Sequence, residues 1–170
     1  MLTYLVLETR TFPFWENYTL YIPWWSLPGT VAKKTRYSRI TWDPNVTRIR
    51  SARLHGRIWA GAGSTGQIYF NDELTHWCDA RLADASIDVE VDVSGLLRNG
   101  ENGVSIELTK FAGLDKAGIF SAELIVEFEG QPPGVTPPEE RRPWWEIPLY
   151  IGLGIGGIIA IAYLIQALRE

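Results

Sequence analysis

The sequence predicts an all-β protein: an antiparallel β-sandwich (jelly roll) head, a proline-rich stalk and a single C-terminal transmembrane helix. Several segments alternate apolar and polar residues with a period of two, which is typical of half-buried strands. Residues that favour turns separate these segments. A charge-free apolar run of about 22 residues near the C-terminus has the length of a membrane span.

The strand prediction rests most clearly on the run from Ile87 to Val93, where Ile and Val alternate with Asp and Glu. The same alternation occurs in three more segments: 52–59, 104–109 and 122–129. Such strands bury one face and wet the other, as in antiparallel sheets. On the basic outer face of the first of these segments, Arg53 and Arg57 are expected either to pair with acidic neighbours or to remain solvated.

Turns and prolines define the domain organisation. Turns are predicted at three positions: 43–45, 61–64 and 98–103. Short strands punctuated in this way indicate a sandwich or jelly roll, so residues 1–130 form the predicted head. Residues 131–146 begin with QPPGVTPPEERR, and we expect them to form an extended stalk and an interfacial anchor.

Residues 147–168 are the predicted transmembrane helix, since a rise of ~1.5 Å per residue gives about 33 Å of helix. Aromatic residues suited to the headgroup layer flank this span: Trp144, Trp145, Tyr150 and Tyr163. Gly152 and Gly156 have GxxxG spacing, which would let a second helix approach closely.

The side of the membrane is predicted from charge. Arg141 and Arg142 precede the span and Arg169 alone follows it, which favours a cytoplasmic head or a head inside a virion. The first residues lack the pattern of a signal peptide, so we expect a tail-anchored protein. A head on the cell or virion surface is the alternative.

Composition argues against several classes of function. The net charge of −4, with acids and bases interspersed, speaks against a nucleic-acid partner. Cys78 is the single cysteine, so no intrachain disulfide forms. His76 and Cys78 are too few for a zinc site, and no base or oxyanion site accompanies them. We therefore predict no enzyme, no catalytic residue, no metal and no cofactor.

Aromatic residues concentrate between positions 12 and 25, where prolines are expected to keep the chain irregular. The candidates for ligand binding or an interface are five tryptophans: Trp15, Trp24, Trp25, Trp59 and Trp77. Three roles remain open for the N-terminal cluster: closing the core, forming a protein interface, or stacking on a sugar.

Two segments resemble the galactose-binding-like jelly-roll domains that also occur as carbohydrate-binding modules: QIYFND at 67–72 and VDVSGLLRNGEN at 91–102. The resemblance implies that Asn71 and Asn102 stabilise turns, and that Leu96 and Leu97 close one end of the sandwich. Asp72 stands where the family often has glycine, which implies a local difference in that hairpin.

These observations together predict a non-enzymatic, membrane-anchored structural or interaction subunit of a larger assembly. A virion protein that links a bilayer to a capsid is one setting for such a subunit. The alternatives are a surface-displayed module that binds a carbohydrate or receptor, and an accessory subunit of a membrane complex. The expected partners are the lipid bilayer and neighbouring protein subunits, with a glycan as partner in the second alternative.

Overall fold

The computed structural model describes residues 7–141, which form β-strands and loops without any helix. The strands are β1 (Leu7–Ile22), β2 (Val31–Thr41), β3 (Thr47–Ala60), β4 (Ser64–Phe70), β5 (Glu73–Ala80), β6 (Ala85–Asp92), β7 (Gly100–Lys110), β8 (Lys116–Gly130), β9 (Gly134–Val135) and β10 (Glu139–Glu140). The all-β prediction is confirmed for these residues.

Two antiparallel sheets enclose a single core. Sheet 1 has the order β1-β8-β3-β6, and sheet 2 has the order β2-β7-β4-β5 with β9 and β10 added on the edge of β2. Between β1 and β8 the chain crosses from one sheet to the other at every connection except the β4–β5 hairpin. This strand order is that of an eight-stranded jelly roll.

The predicted alternation is found in β3, β6, β7 and β8, whose apolar faces turn inward. The largest buried side chains include six from both sheets: Phe14, Phe70, Phe120, Phe128, Leu54 and Ile58. One residue departs from the pattern, because Ser105 on the predicted wet face of β7 is buried. Its hydroxyl lies 2.7 Å from that of Thr35 on the neighbouring strand, so its polar group has a partner.

The N-terminal aromatic segment is not irregular, contrary to expectation. It forms β1, with register shifts between Pro13 and Trp15 and between Trp15 and Tyr18. Pro13 is tolerated because β1 is an edge strand of sheet 1, where a missing N–H need not interrupt a ladder. The shifts form bulges, and Asn17 within them has φ of 46°.

The outer face of sheet 1 carries the ion pairs that the basic face of β3 suggested. Arg53 lies 2.9 Å from Glu127 and 3.5 Å from Glu90, and Arg57 lies 3.6 Å from Asp88. Pairing across strands is therefore confirmed over simple solvation. Because these side chains are largely exposed, each pair contributes little to stability.

Part of the predicted stalk lies against the sheet. β9 and β10 pair with β2, the Ser38 hydroxyl donates to the carbonyl of Thr136 at 2.6 Å, and the Thr136 N–H donates to Arg39 O at 3.0 Å. The unpaired backbone groups of an edge strand explain why an extended segment binds there. Only residues 131–141 of the predicted stalk are described.

No helix within residues 7–141 has the length and apolar character needed to cross a membrane. The predicted span at 147–168 lies outside the described residues, together with its flanking aromatic residues and the glycine pair. The transmembrane helix therefore stays a prediction.

The loops gather at two ends of the sandwich. Ile22 pairs with Lys116, and Ser64 pairs with both Lys110 and Ala80, so the strand ends beside them lie together. We call this the aromatic end, formed by loops 23–30, 61–63, 81–84 and 111–115. The opposite end, which we call the amide end, is formed by loops 42–46, 71–72 and 93–99.

Candidate functional site

The aromatic end carries most of the large apolar side chains that the described residues expose. Trp24 is 65% exposed, Trp25 70% and Leu27 76%, all in loop 23–30. Leu82 and Leu114, in two further loops, are 99% and 75% exposed. Apolar groups gathered in this way on one end of a domain mark an interaction surface.

Loop 23–30 owes its shape to one buried lysine at the end of β7. Lys110 is only 2% exposed, and its Nζ donates to the carbonyl oxygens of Pro23, Trp24 and Ser26 at 3.3, 3.0 and 2.9 Å. An ammonium buried in this way is stable only if it is hydrogen-bonded, and carbonyls fill that role here. The lysine therefore fixes the backbone that presents Trp24 and Trp25.

Backbone hydrogen bonds complete the same loop. Gly29 N–H donates to Lys110 O at 2.7 Å, and Lys110 N–H donates to Thr30 O at 2.9 Å. Ser26 N–H reaches Pro23 O, while both the N–H and the hydroxyl of Thr30 donate to Leu27 O. These bonds hold part of the loop backbone in place, while the side chains of Trp24, Trp25 and Leu27 face solvent.

The other loops of this end bind one another. Phe111 N–H and Ala112 N–H both donate to Gly63 O, and Gly63 N–H donates to Ala80 O. Gly63 has φ of 83°, and a Cβ there would lie 2.5 Å from Ala112 O, so glycine is required. Ala62 N–H donates to a carboxylate oxygen of Asp84 at 2.7 Å, which ties loop 61–63 to loop 81–84.

Charged groups at the aromatic end are paired locally. The pKa of Asp79 is lowered by hydrogen bonds from Arg81, whose guanidinium also lies 6.0 Å from the ring centre of Phe111. The pKa of Tyr21 is raised because its hydroxyl hydrogen-bonds to the carboxylate of Asp115. Beside Tyr21 an open depression of about 470 Å³ is lined by residues that include Pro23, Trp25, Leu27 and Val31.

The five candidate tryptophans do not form one site. Trp24 and Trp25 lie together at the aromatic end, whereas Trp15 is 2% exposed and belongs to the core. The Trp15 indole N–H donates to Val104 O at 3.3 Å, so the polar group of this buried ring has a partner. Trp59 is half-buried on the outer face of sheet 1, and Trp77 is exposed on the edge strand β5.

The only histidine–cysteine cluster of the sequence lies in β5. Cys78 is buried, and burial raises the pKa of its thiol, which makes it a poor nucleophile at neutral pH. Within residues 7–141 no three His, Cys, Asp or Glu side chains come together in a way that suits a metal ion.

A second concavity, of about 550 Å³, lies on the outer face of sheet 1. Its polar lining comes from all four strands of the sheet: Glu16, His55, Arg57, Asp88, Ser121 and Glu123. His55 Nδ1 lies 3.0 Å from a carboxylate oxygen of Glu123. The volume falls in the range of small-molecule sites.

The residues named from the resemblance hold the amide end together. The Asn71 amide donates to Leu96 O and to the side-chain oxygen of Asn102, and its own oxygen accepts from Gly103 N–H. Leu96 and Leu97 pack against the core. The structural roles that the resemblance implies for these residues are confirmed.

Sequence reasoning missed the parts of the aromatic end that lie far apart along the chain. Leu27, Leu82 and Leu114 are single apolar residues in separate loops, so no local pattern marks them. Lys110 follows a predicted strand as an ordinary polar residue. No turn was predicted at Leu82 or Leu114, so the exposure of these side chains becomes evident only once the strands are placed.

Comparisons with known proteins are limited to solved structures, since no protein-family model and no curated protein matches the chain. A structure of infectious bursal disease virus, Gx strain, is 12% identical and covers 92% of this chain and 49% of that chain, with a TM-score of 0.40. The VP2 subviral particle of the same virus is 11% identical and covers 76% of this chain and 36% of that chain, with a TM-score of 0.42.

A third likeness is to the pre-peptidase C-terminal domain of a collagenase from Bacillus anthracis, at 11% identity and a TM-score of 0.29, covering 56% of this chain and 89% of that one. The chain spans half or less of the length of the viral chains it matches. TM-scores of this size carry no argument about fold or function. The assignment of an antiparallel β-sandwich therefore rests on the strand order alone.

Proposed function

We propose that the protein is a non-enzymatic, membrane-anchored structural subunit that ties a lipid bilayer to neighbouring protein subunits. A virion with a membrane beneath or around its protein shell is the setting we favour. The sandwich acts as a rigid spacer, and its surfaces rather than any catalytic group carry the function. The anchor is the charge-free segment 147–168, with Gly152 and Gly156 available to a partner helix.

One observation carries this proposal: the aromatic end exposes Trp24 and Trp25 from a loop whose backbone is held by Lys110. Rigid aromatic side chains bury large areas on contact and lose little conformational entropy, so they are effective at interfaces.

Membrane integration is tested with the full chain in cell membranes. We expect the protein to remain in the pellet after extraction with alkaline carbonate. Ile158→Asp combined with Ile159→Asp should release it, because a charge at the centre of a span costs about 3 kcal/mol. Leu74→Asp, on an exposed position of β5, is the matched control and should stay in the pellet. Extraction of the unaltered chain would refute the anchor.

The side on which the head lies is tested by protease treatment of intact membranes or particles, with detergent-opened samples as the reference. Protection until opening supports a linker between bilayer and protein shell. Cleavage of intact samples supports the alternative of a surface recognition module. Loss of assembly in the Gly152→Leu and Gly156→Leu double variant would support docking through the helix.

A second candidate function is glycan binding, and the concavity on sheet 1 favours it. Its acids, histidine and arginine are hydrogen-bonding groups that suit sugar hydroxyls, although the buried Trp15 offers no stacking surface. Titration with galactose, followed by calorimetry, tests this role. Saturable heat that disappears in the Asp88→Ala variant would support it, and no heat at millimolar sugar would exclude galactose as the ligand.

A further inference from the structure

We propose that the aromatic end rests in the headgroup layer of a phospholipid bilayer, so that the head lies on the membrane through its loop tips. This proposal rests on the proposed function, which supplies the anchor, and it names a lipid surface as the partner of the aromatic end. The occupant is a lipid surface of zwitterionic phospholipid. Binding of another protein or of a second copy is treated as an outcome of the test.

The side chains at the tips are those that partition into a lipid interface. Trp24 and Trp25 have amphipathic rings suited to the headgroup level. Leu27, Leu82 and Leu114 stand at three different loop tips and are each at least 75% exposed. Apolar residues on several neighbouring loop tips can enter a soft lipid layer together.

The backbone of the principal loop is suited to leaving water. A carbonyl or N–H group that enters an apolar layer without a partner carries a large free-energy penalty. In loop 23–30 the carbonyls of Pro23, Trp24 and Ser26 accept from Lys110, and that of Leu27 accepts from Thr30. Four carbonyls of this loop therefore already have hydrogen-bond partners before the loop enters a lipid layer.

The charged side chains at the aromatic end indicate which class of phospholipid it contacts. The acidic groups are engaged locally, since Asp79 bonds Arg81, Asp84 accepts from Ala62 N–H and Asp115 bonds Tyr21. Lys116 donates to the carbonyl of Ala62. Without a cluster of free basic side chains in these loops, attraction to anionic headgroups is not the driving force. Zwitterionic lipid is therefore sufficient.

The direction of the last described strand agrees with this placement. β2 begins at the aromatic end, and β10 runs antiparallel to it, with Glu139 opposite Tyr37 and Glu140 opposite Arg36. β10 therefore runs toward the aromatic end, and Lys34 pairs with Glu140 further along the same edge.

The test uses the full chain reconstituted in phosphatidylcholine vesicles, with a nitroxide spin label at one position of each end. Leu27→Cys reports on the aromatic end, and Val46→Cys, an exposed aliphatic position at the amide end, is the matched control. Both are made with Cys78→Ala, which removes the buried thiol. Accessibility of each label to oxygen, which concentrates in lipid, is compared with accessibility to a water-soluble nickel complex.

We expect the label at position 27 to be severalfold more accessible to oxygen than to the nickel complex, and the label at 46 to show the reverse. Adding Trp24→Ser and Trp25→Ser should return the label at 27 to the aqueous pattern. Equal nickel accessibility of both labels would overturn the proposal. Spectral broadening at 27 that disappears on dilution with unlabelled protein would assign this end to a second copy and also overturn it.

Membrane anchoring is measured separately, as retention of the chain after carbonate extraction of the same vesicles. Retention of the chain with an aqueous label at 27 would refute the lipid contact and leave the anchor in place. Extraction of the chain with a lipid-embedded label at neutral pH would refute the anchor and leave the lipid contact in place.

Discussion

The two ends of the sandwich differ in the groups that hydrogen-bond the backbone of their loops. At the amide end these groups are side-chain amides, since Asn71 and Asn102 hydrogen-bond each other and the loop backbone. Their polar atoms are therefore already engaged within the protein. At the aromatic end the groups are the Lys110 ammonium and backbone hydrogen bonds between loops, so the apolar side chains at the loop tips take no part in holding the loops.

This difference separates stability from binding. At the amide end Asn102 is buried and Leu96 and Leu97 pack against the core, whereas Trp24 and Trp25 are largely exposed. Substitutions at the two ends should therefore differ in kind: replacing the buried Asn102 should destabilise the domain, and replacing the aromatic tips should change only what it binds.

The largest effect is expected from Asn102→Ala at the amide end. Asn102 is fully buried, accepts from Arg98 N–H and donates to the carbonyls of Arg98 and Gly100. Removing the amide leaves buried backbone groups without partners, so we expect the free energy of unfolding to fall by about 3 kcal/mol. Urea unfolding measures this loss.

The matched control is Asn45→Ala in the exposed turn 42–46, whose amide bonds only to Asp43. It should lose at most about 0.5 kcal/mol. Equal losses at Asn102 and Asn45 would contradict the idea that the amide end depends on its buried amides.

A smaller effect is expected from Lys110→Met. Methionine keeps most of the side-chain volume but cannot donate to Pro23, Trp24 and Ser26. Because water reaches an exposed loop and replaces part of what is lost, we expect about 1–2 kcal/mol of destabilisation. Hydrogen exchange should accelerate at the amides of loop 23–30 before it does so in the core strands.

Lys33→Met is the control for this variant, since Lys33 is exposed on β2 and lies 5.0 Å from the ring centre of Tyr69. Its exchange pattern should match that of the unaltered protein. Unchanged protection of loop 23–30 in Lys110→Met would show that the loop holds its shape without the ammonium.

The two ends also differ in how well the sequence predicts them. Period-two alternation predicted β3, β6, β7 and β8 because one buried face leaves a local pattern. The amide end was predictable as well, since Asn71 and Asn102 stand in short segments that resemble known turns. Both signals are contained within a few consecutive residues.

The aromatic end could not be predicted from such short segments, because its parts come from four loops that only the strand order brings together. Trp15, Trp24 and Trp25 look alike in sequence, yet the register shifts of β1 bury the first and the chain leaves the sheet before the others. The prolines of residues 131–141 predicted an extended segment, and its pairing with the open edge of β2 was not visible in the sequence.

Acid sensitivity offers a finer comparison of the ends. The pKa of Asp92 is lowered by hydrogen bonds from the hydroxyl and N–H of Ser94 at the amide end, and that of Asp79 by Arg81 at the aromatic end. A lowered pKa in the folded state stabilises the protein above the ordinary value of 3.8 and ceases to do so as the pH falls.

The thermal midpoint of the unaltered protein should therefore exceed that of Asp92→Asn at pH 7, and the difference should shrink as the pH falls below about 4. Asp79→Asn should behave alike, because the hydrogen bonds from Arg81 likewise favour the ionised carboxylate of Asp79. A gap at Asp92 that persists at pH 2 would mean that the ionised carboxylate is not its cause.

The smallest effect on folding is expected from Trp24→Ala combined with Trp25→Ala. A double variant of unchanged stability is the sharpest test of the difference between the two ends. Both indoles face solvent, so their removal should change the free energy of unfolding by at most about 0.5 kcal/mol. Trp77→Ala on β5, also largely exposed, serves as the control for loss of a surface indole. A loss of several kcal/mol in the double variant would mean that the aromatic end is part of the folding core. Unchanged stability together with loss of contact between the head and the vesicle would instead show that Trp24 and Trp25 serve binding rather than folding. Their loop is held by Lys110, so its shape does not depend on the two indoles.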